Sequence, residues 1–365
     1  MKYDAIIVGA SFAGLAVANQ LRGNILLIDR KDIGEGQTSA CGTLLGVLER
    51  LGLEECLLQV HPSLFFHTSS RTEKVDVSEV PFCTFDYGVF CREMASHLDA
   101  EVLQASVKGL IGNEVVTEKG IFKSECLIDA SGWRAVLASS LHGGVAKNGM
   151  MSFGIETVVP CQREGLHFWF DEDLVPQGVA WLFPIGEKAR IGVGSYKGDP
   201  HLKAHLDIFL SSMGLQKKDV HGGYFPAALR EPTVGRVFLV GDAAGQCLPL
   251  TGEGIRPAIY FGQVCGAIVQ RVIEGKISLE EGLRHYRAFV FHHSRFYRFL
   301  GFLQRLLLSV PAFMVNRLIA MVSMEPFRSY ILRGYEAFAN PKDLRPLNYK
   351  RGVRWKEDKY VSICA

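Results

Sequence analysis

A carboxylate at Asp242 follows the apolar run Val237–Val240 and is enclosed by Gly241, Ala243 and Ala244, with Gly252, Glu253 and Gly254 a short way on. A surface loop needs no such limit on side-chain size. A loop against which something large must lie does, because each added Cβ would occupy the space of the approaching group. Near the N-terminus, Gly9-x-Ser11-x-x-Gly14 joins an apolar strand pattern to a helix-forming stretch, and a second strand, "NILLID", ends on Asp29. Strand, glycine turn, helix, strand and acid in this order make a dinucleotide fingerprint. The turn admits a pyrophosphate, the helix N-terminus offers N–H groups and partial positive charge, and the acid accepts from ribose hydroxyls. Serine stands at the middle position, where glycine is usual; it is small, and its hydroxyl can itself donate to a phosphate. A third stretch, "ECLIDASGWRA", runs an apolar strand into Ser131-Gly132.

Other chemistries find less support. The nine cysteines form no CxxC pair, so neither a disulfide framework nor a zinc site is indicated, and a reducing, cytoplasmic setting is expected. His285, His292 and His293 have no carboxylate or cysteine nearby to complete a site, so no metal is assigned. No Gly-x-Ser-x-Gly elbow points to acyl transfer. A formal net charge of +2 without basic blocks argues against a nucleic-acid partner. The opening "MKYDAIIVGAS" has an apolar run of only about five residues, too short for a signal h-region, and reads as a first strand. No stretch reaches the roughly 18–20 uncharged apolar residues of a membrane span.

One fingerprint does not choose between NAD and FAD. Together the three patches resemble the glutathione-reductase-type FAD fold of aromatic hydroxylases and prenyl reductases. The resemblance implies that Asp242 binds a ribityl hydroxyl, with Gly241 and its small neighbours lying against the cofactor. It implies that the helix opening at Gly252-Glu253-Gly254 aims N–H groups at the flavin N1/C2 edge, where charge collects on reduction. Arg92, ahead of the apolar helix "EMASHL", would then lie near the ribityl or pyrophosphate; a solvated helix-start residue is the alternative.

Two further stretches resemble the geranylgeranyl reductase family. In "PQGVAWLFP", Pro176, Trp181, Phe183 and Pro184 match that family's Pro-x-x-Tyr-x-Trp-x-Phe-Pro pattern, with Val179 in place of tyrosine. Strand alternation puts Val179, Trp181 and Phe183 on one face, either as a wall for a long hydrocarbon or as ordinary core. In "TSACGTLLG", Cys41-Gly42 matches the family's Arg-Cys-Gly stretch, with Ala40 in place of the arginine. The resemblance places Cys41 at the flavin's reactive face as the catalytic candidate, with a compact buried cysteine as the alternative. The loop "PLTGEGI" also matches the family's. The implied activity is FAD-dependent reduction of carbon–carbon double bonds in a polyprenyl lipid, by hydride transfer from reduced flavin. NAD(P)H or a ferredoxin-like protein would supply the electrons. A flavin monooxygenase or halogenase, a prenyl cyclase without net redox, and a lipid-binding flavoprotein without turnover are the other readings.

The elements that must position these residues form an α/β chain. Residues 1–60, 86–145 and 229–300 make a discontinuous Rossmann-like FAD-binding domain, and residues 61–85 and 146–228 an antiparallel-sheet substrate domain. Residues 301–365 form a helical C-terminal segment. From Tyr297 the sequence is apolar with Arg298, Arg305 and Arg317 and no acid before Glu325, split by Pro311 into two helices. Such helices either lie on the cytoplasmic face of an anionic membrane or pack on the substrate domain. The polar tail from Asn348 wraps the surface or is loosely ordered.

Overall fold

The computed structural model describes residues 2–142 and 151–341. The domain boundary drawn at 145/146 and the tail from Asn348 lie outside the described residues.

Five strands run parallel in the order Glu101–Gln104, Ile25–Asp29, Lys2–Val8, Gly120–Asp129, Val237–Leu239. Thr233–Val234 pairs antiparallel at the edge. Ile6, Ile7, Leu26, Leu27, Leu127 and Ile128 are fully buried, as strands covered on both faces by other elements require. The strand order reverses beside Lys2–Val8, which is where such sheets open a crevice at their carboxyl ends. Val8 and Asp129 are paired, so the Gly9 turn and the Ala130–Gly132 turn leave the sheet side by side. The helix Ile255–Ile273 crosses the helix Phe12–Ala18 at glycine contacts. A Cβ on Gly262 would sit 2.8 Å from the Ala13 carbonyl oxygen, and one on Gly266 2.6 Å from that of Val17.

The second sheet has seven strands, in the order Val220–Pro226, Met151–Pro160, Lys188–Ser195, Gly178–Ile185, Leu166–Trp169, Ser63–His67, Thr72–Asp76. It departs from the antiparallel expectation at one place: Ser63–His67 runs parallel to Leu166–Trp169. The hairpin Ser63–Asp76 joins that edge from a distant part of the chain, so no tight turn imposes opposite directions. The helix Lys203–Ser212 buries Leu206, Phe209 and Leu210 against Ile155, Ala180, Leu182, Ile191 and Val193. That covers one face and leaves the other toward the first unit. A small sheet of Gly42–Leu44, Phe82–Phe85 and Leu57–His61 links the two, with the Thr84 hydroxyl donating to the Pro184 carbonyl at 2.6 Å.

Three helices follow near the C-terminus: Ser294–Leu307, Ala312–Ser323 and Phe327–Ala337. Pro311 separates the first two, as its missing N–H dictates. Among the described residues, no helix is long and apolar enough to cross a membrane.

Candidate active site

The crevice is built from close backbone approaches. Gly9 has φ +106°, and a Cβ there would lie 2.2 Å from the Ala130 carbonyl oxygen; one on Gly14 would lie 1.8 Å from that of Gly9. Only glycine fits either position. The Ser11 hydroxyl accepts from Tyr87 at 3.1 Å, which leaves its own proton to donate outward. Asp29 accepts from the Ala10 and Lys31 amides at 2.7 and 3.0 Å. These bonds pin the turn, and each carboxylate oxygen keeps a second lone pair for a hydroxyl donor. Buried Asp129 accepts from the Ser131, Leu137 and Ala138 amides and the Ser131 hydroxyl, fixing the second turn. A Cβ on Gly132 would meet nothing within 4 Å, so the crevice is open there.

Arg92 requires a correction. It lies inside the helix Tyr87–Ser96 rather than ahead of it, because the Asp86 side chain caps the Val89 amide at 2.8 Å and starts the helix earlier. Arg92 is exposed, and its Nη1 lies near the positions a Cβ on Gly34 or Gly88 would take.

At the Asp242 loop, Gly241 has φ +66°, and its amide donates to Gln246 Oε1 at 2.7 Å. Among the described residues, nothing hydrogen-bonds the Asp242 carboxylate. Burial pushes its carboxyl up to about 6, against the opposing pull of Arg230. The helix Ile255–Ile273 begins after Gly254 with no side-chain cap, which leaves first-turn amides available to a ligand. Gly252 has φ +65°, and a Cβ there would lie 3.8 Å from the Phe225 ring.

Glu253 is committed elsewhere. Its carboxylate accepts from Arg256 Nε and Nη2 at 3.0 and 2.8 Å and from the Tyr335 hydroxyl. Fully buried Arg256 also donates to the Tyr335 carbonyl at 2.6 Å and to that of Phe338. The pair therefore ties the helix Phe327–Ala337 to the loop. Sequence reasoning passed over Arg256, although Glu253 and Arg256 stand at i, i+3 where a helix begins.

Cys41 is buried at φ 51°, its amide bonded to Ser39 Oγ at 3.2 Å. Burial pushes the thiol well up, so it stays protonated at neutral pH. A Cβ on Gly42 would lie 2.8 Å from Phe183 Cε2, so two residues read separately from the sequence meet here.

Val179, Trp181 and Phe183 alternate with Ala180 and Leu182 along Gly178–Ile185, and the alternation decides their role. Ala180 and Leu182 fill the core under Lys203–Ser212, while the three face the other way and are half-buried. The indole lies flat over a glycine floor: Cβ atoms on Gly192, Gly194 and Gly154 would approach it to 2.2, 3.2 and 3.3 Å. Phe168 extends the wall, its ring 5.4 Å from that of Phe183 and 5.7 Å from that of Phe66. The face reaches the first unit at both ends, through Phe183 at Gly42 and through Tyr196, whose hydroxyl donates to the Leu250 carbonyl at 2.9 Å.

Sequence reasoning missed the polar group on this wall. Trp181 Nε1 donates to Glu156 Oε2 at 3.2 Å, His221 Nε2 donates to Glu156 Oε1 at 2.9 Å, and Arg190 Nη1 lies 3.9 Å from Glu156 Oε1. The signal was a lone acid inside the apolar strand "MSFGIETVV", two residues from Gly154 and so on the same face.

No protein-family model matches the chain. It is 24% identical over 319 residues to the digeranylgeranylglycerophospholipid reductase of Methanocaldococcus jannaschii, covering 78% of this chain and 81% of that protein. A second such reductase, from Methanothermobacter thermautotrophicus, is 25% identical over 313 residues, covering 75% and 79%. The chain is a relative of the geranylgeranyl reductases. Among solved structures, a geranylgeranyl bacteriochlorophyll reductase-like protein from Thermoplasma acidophilum superposes with TM-score 0.80 at 19% identity, over 95% of this chain and 98% of that one. A probable FAD-dependent monooxygenase from Pseudomonas aeruginosa shares the fold at TM-score 0.61 and 17% identity, over 85% and 97%. The geranylgeranyl reductase-like fold, with its helical C-terminal segment, thus spans nearly the whole chain.

Proposed function

We propose that the chain is an FAD-dependent reductase of carbon–carbon double bonds in a prenyl lipid. The observation that carries this reading is the wall of Val179, Trp181 and Phe183, half-buried and turned toward the glycine loops instead of into the core. An aromatic face with one indole N–H suits a long hydrocarbon and offers little to a small polar substrate.

The crevice fits FAD by its own geometry. The Gly9 turn, Ser11 and the open space at Gly132 accommodate a pyrophosphate, and Asp29 can accept from ribose. Asp242, without a hydrogen-bond partner among the described residues, would accept from a ribityl hydroxyl on this reading. When bound, FAD supplies the two-electron reduction. The chain's residues position and shield: the small residues Gly241, Ala243 and Ala244 admit the cofactor, the uncapped helix at Gly254 offers N–H donors, and the aromatic wall excludes water. Cys41, a protonated thiol beside Gly42, is fully enclosed by the protein. NAD(P)H or a ferredoxin-like protein is the electron source on this reading. Exposed Phe299, Phe302, Phe313 and Met321 with Arg298, Arg305 and Arg317 support docking on an anionic membrane, from which the lipid would enter.

The test is anaerobic. Protein loaded with FAD and reduced by dithionite should be reoxidised by geranylgeranyl lipids without oxygen. A flavin that stays reduced on every lipid, yet reoxidises in air and leaves an oxygenated product, would make the chain a monooxygenase.

A further inference from the structure

Saturating a double bond takes two electrons and two protons. On the function proposed above, bound reduced FAD would supply both electrons and one hydrogen. The other carbon still needs a proton, and an apolar wall has few groups able to give one.

Glu156 is only 2% exposed, in a sheet face built largely of aromatic, glycine and valine residues. A buried carboxylate is costly unless donors surround it, and this one collects the indole N–H, the imidazole and the guanidinium. Register fixes the arrangement. Trp181, Gly192, Glu156 and His221 form one cross-strand row, in which Gly192 lets the indole reach across to the acid. The next row holds Val179, Gly194, Gly154 and Gly223, and a Cβ on Gly223 would meet nothing within 4 Å. The indole covers Gly194 and Gly154, and Gly223, beside His221, is the glycine of this row that borders open space. His221 is the member that reaches the outside, with 31% of its side chain exposed, while Arg190 and Glu156 both act electrostatically on Cys41. Arg190, 5% exposed, has a buried Nε with no hydrogen-bond partner among the described residues.

We propose that His221 is the proton donor of this chamber, and that Glu156, Trp181 and Arg190 position it. With Nε2–H held by Glu156, the protonated ring gives up its Nδ1 proton. That N–H bond breaks, its electron pair stays on the ring, a C–H bond forms on the lipid, and solvent recharges the ring through its exposed edge.

The test compares wild type with His221→Gln, which can still donate to Glu156 but has no proton to transfer, and with Glu156→Gln. In single turnover, lipid-driven reoxidation of pre-reduced His221→Gln should slow at least about 100-fold. FAD binding, dithionite reduction and lipid affinity of the oxidised protein should stay within about twofold. Glu156→Gln should lower kcat with KM unchanged, and wild type in D2O should show a solvent isotope effect that His221→Gln loses. Wild-type rates in His221→Gln, or slowing only in proportion to lost FAD, overturn the proposal and leave the reductase reading intact. Failure of wild type to act on any prenyl lipid overturns the reading, and the proposal with it.

Discussion

Two residues carry separable expectations. In the apo protein, burial raises the Asp242 carboxyl to about 6, so between the ordinary carboxylate value and about 6 the native state holds a proton that the unfolded chain releases. Its stabilising effect is therefore complete below about 4 and lost as pH rises through about 6, by up to about 3 kcal/mol. Thermal unfolding of apo wild type against Asp242→Asn should show this slope in the first and not in the second. FAD should in turn bind more tightly above pH 6, where the carboxylate is free to accept a ribityl hydroxyl. Gly192 gives the second expectation. A Cβ there would lie 2.2 Å from the indole and 2.6 Å from the Ile155 carbonyl oxygen, so Gly192→Ala must displace Trp181 from Glu156. The cost should be about 1–3 kcal/mol in denaturant unfolding, with a larger loss of lipid turnover than of FAD binding.

At the scale of elements, the Glu253–Arg256 pair ties the helix Phe327–Ala337 to the Gly252–Gly254 loop. Arg256→Met would leave the buried Glu253 carboxylate without its cation, at a cost of about 3–5 kcal/mol. The helix Phe327–Ala337 should then become sensitive to limited proteolysis, and adding Glu253→Gln should recover most of the loss. This link was not legible from the sequence, because the pair sits in a loop that the glycines already seemed to explain. The strands, the glycine turns and the division at Pro311 were legible, since each rests on local patterning. What alternation could not decide was which strand face is core, and the helix Lys203–Ser212 decides that by covering Ala180 and Leu182. The Glu156 group escaped because its three partners come from three other strands, brought beside it only by the pairing of the sheet. Arg92 was misplaced for a smaller reason: the Asp86 cap lies one turn before the apolar pattern becomes clear.

Across the whole molecule, the helix Ala312–Ser323 does two things. Val315 is buried, and the Asn316 side-chain amide donates to Ser70 Oγ at 2.9 Å beside the seven-stranded sheet, while Phe313, Met314 and Leu318 remain exposed next to Arg317. Packing and membrane docking are therefore compatible in one helix. Replacing Arg298, Arg305 and Arg317 together by glutamine should weaken co-sedimentation with anionic vesicles on the order of 100-fold, at about 1 kcal/mol per arginine, and leave neutral vesicles unaffected. On the function proposed, the glycine-lined crevice and the aromatic wall form one reducing site. The most direct test is the mass of the lipid recovered after a single anaerobic turnover of the pre-reduced protein with a geranylgeranyl lipid. A gain of two hydrogens for each double bond consumed, matched by loss of reduced flavin, is expected. Lipid of unchanged mass beside a fully reduced flavin would contradict it.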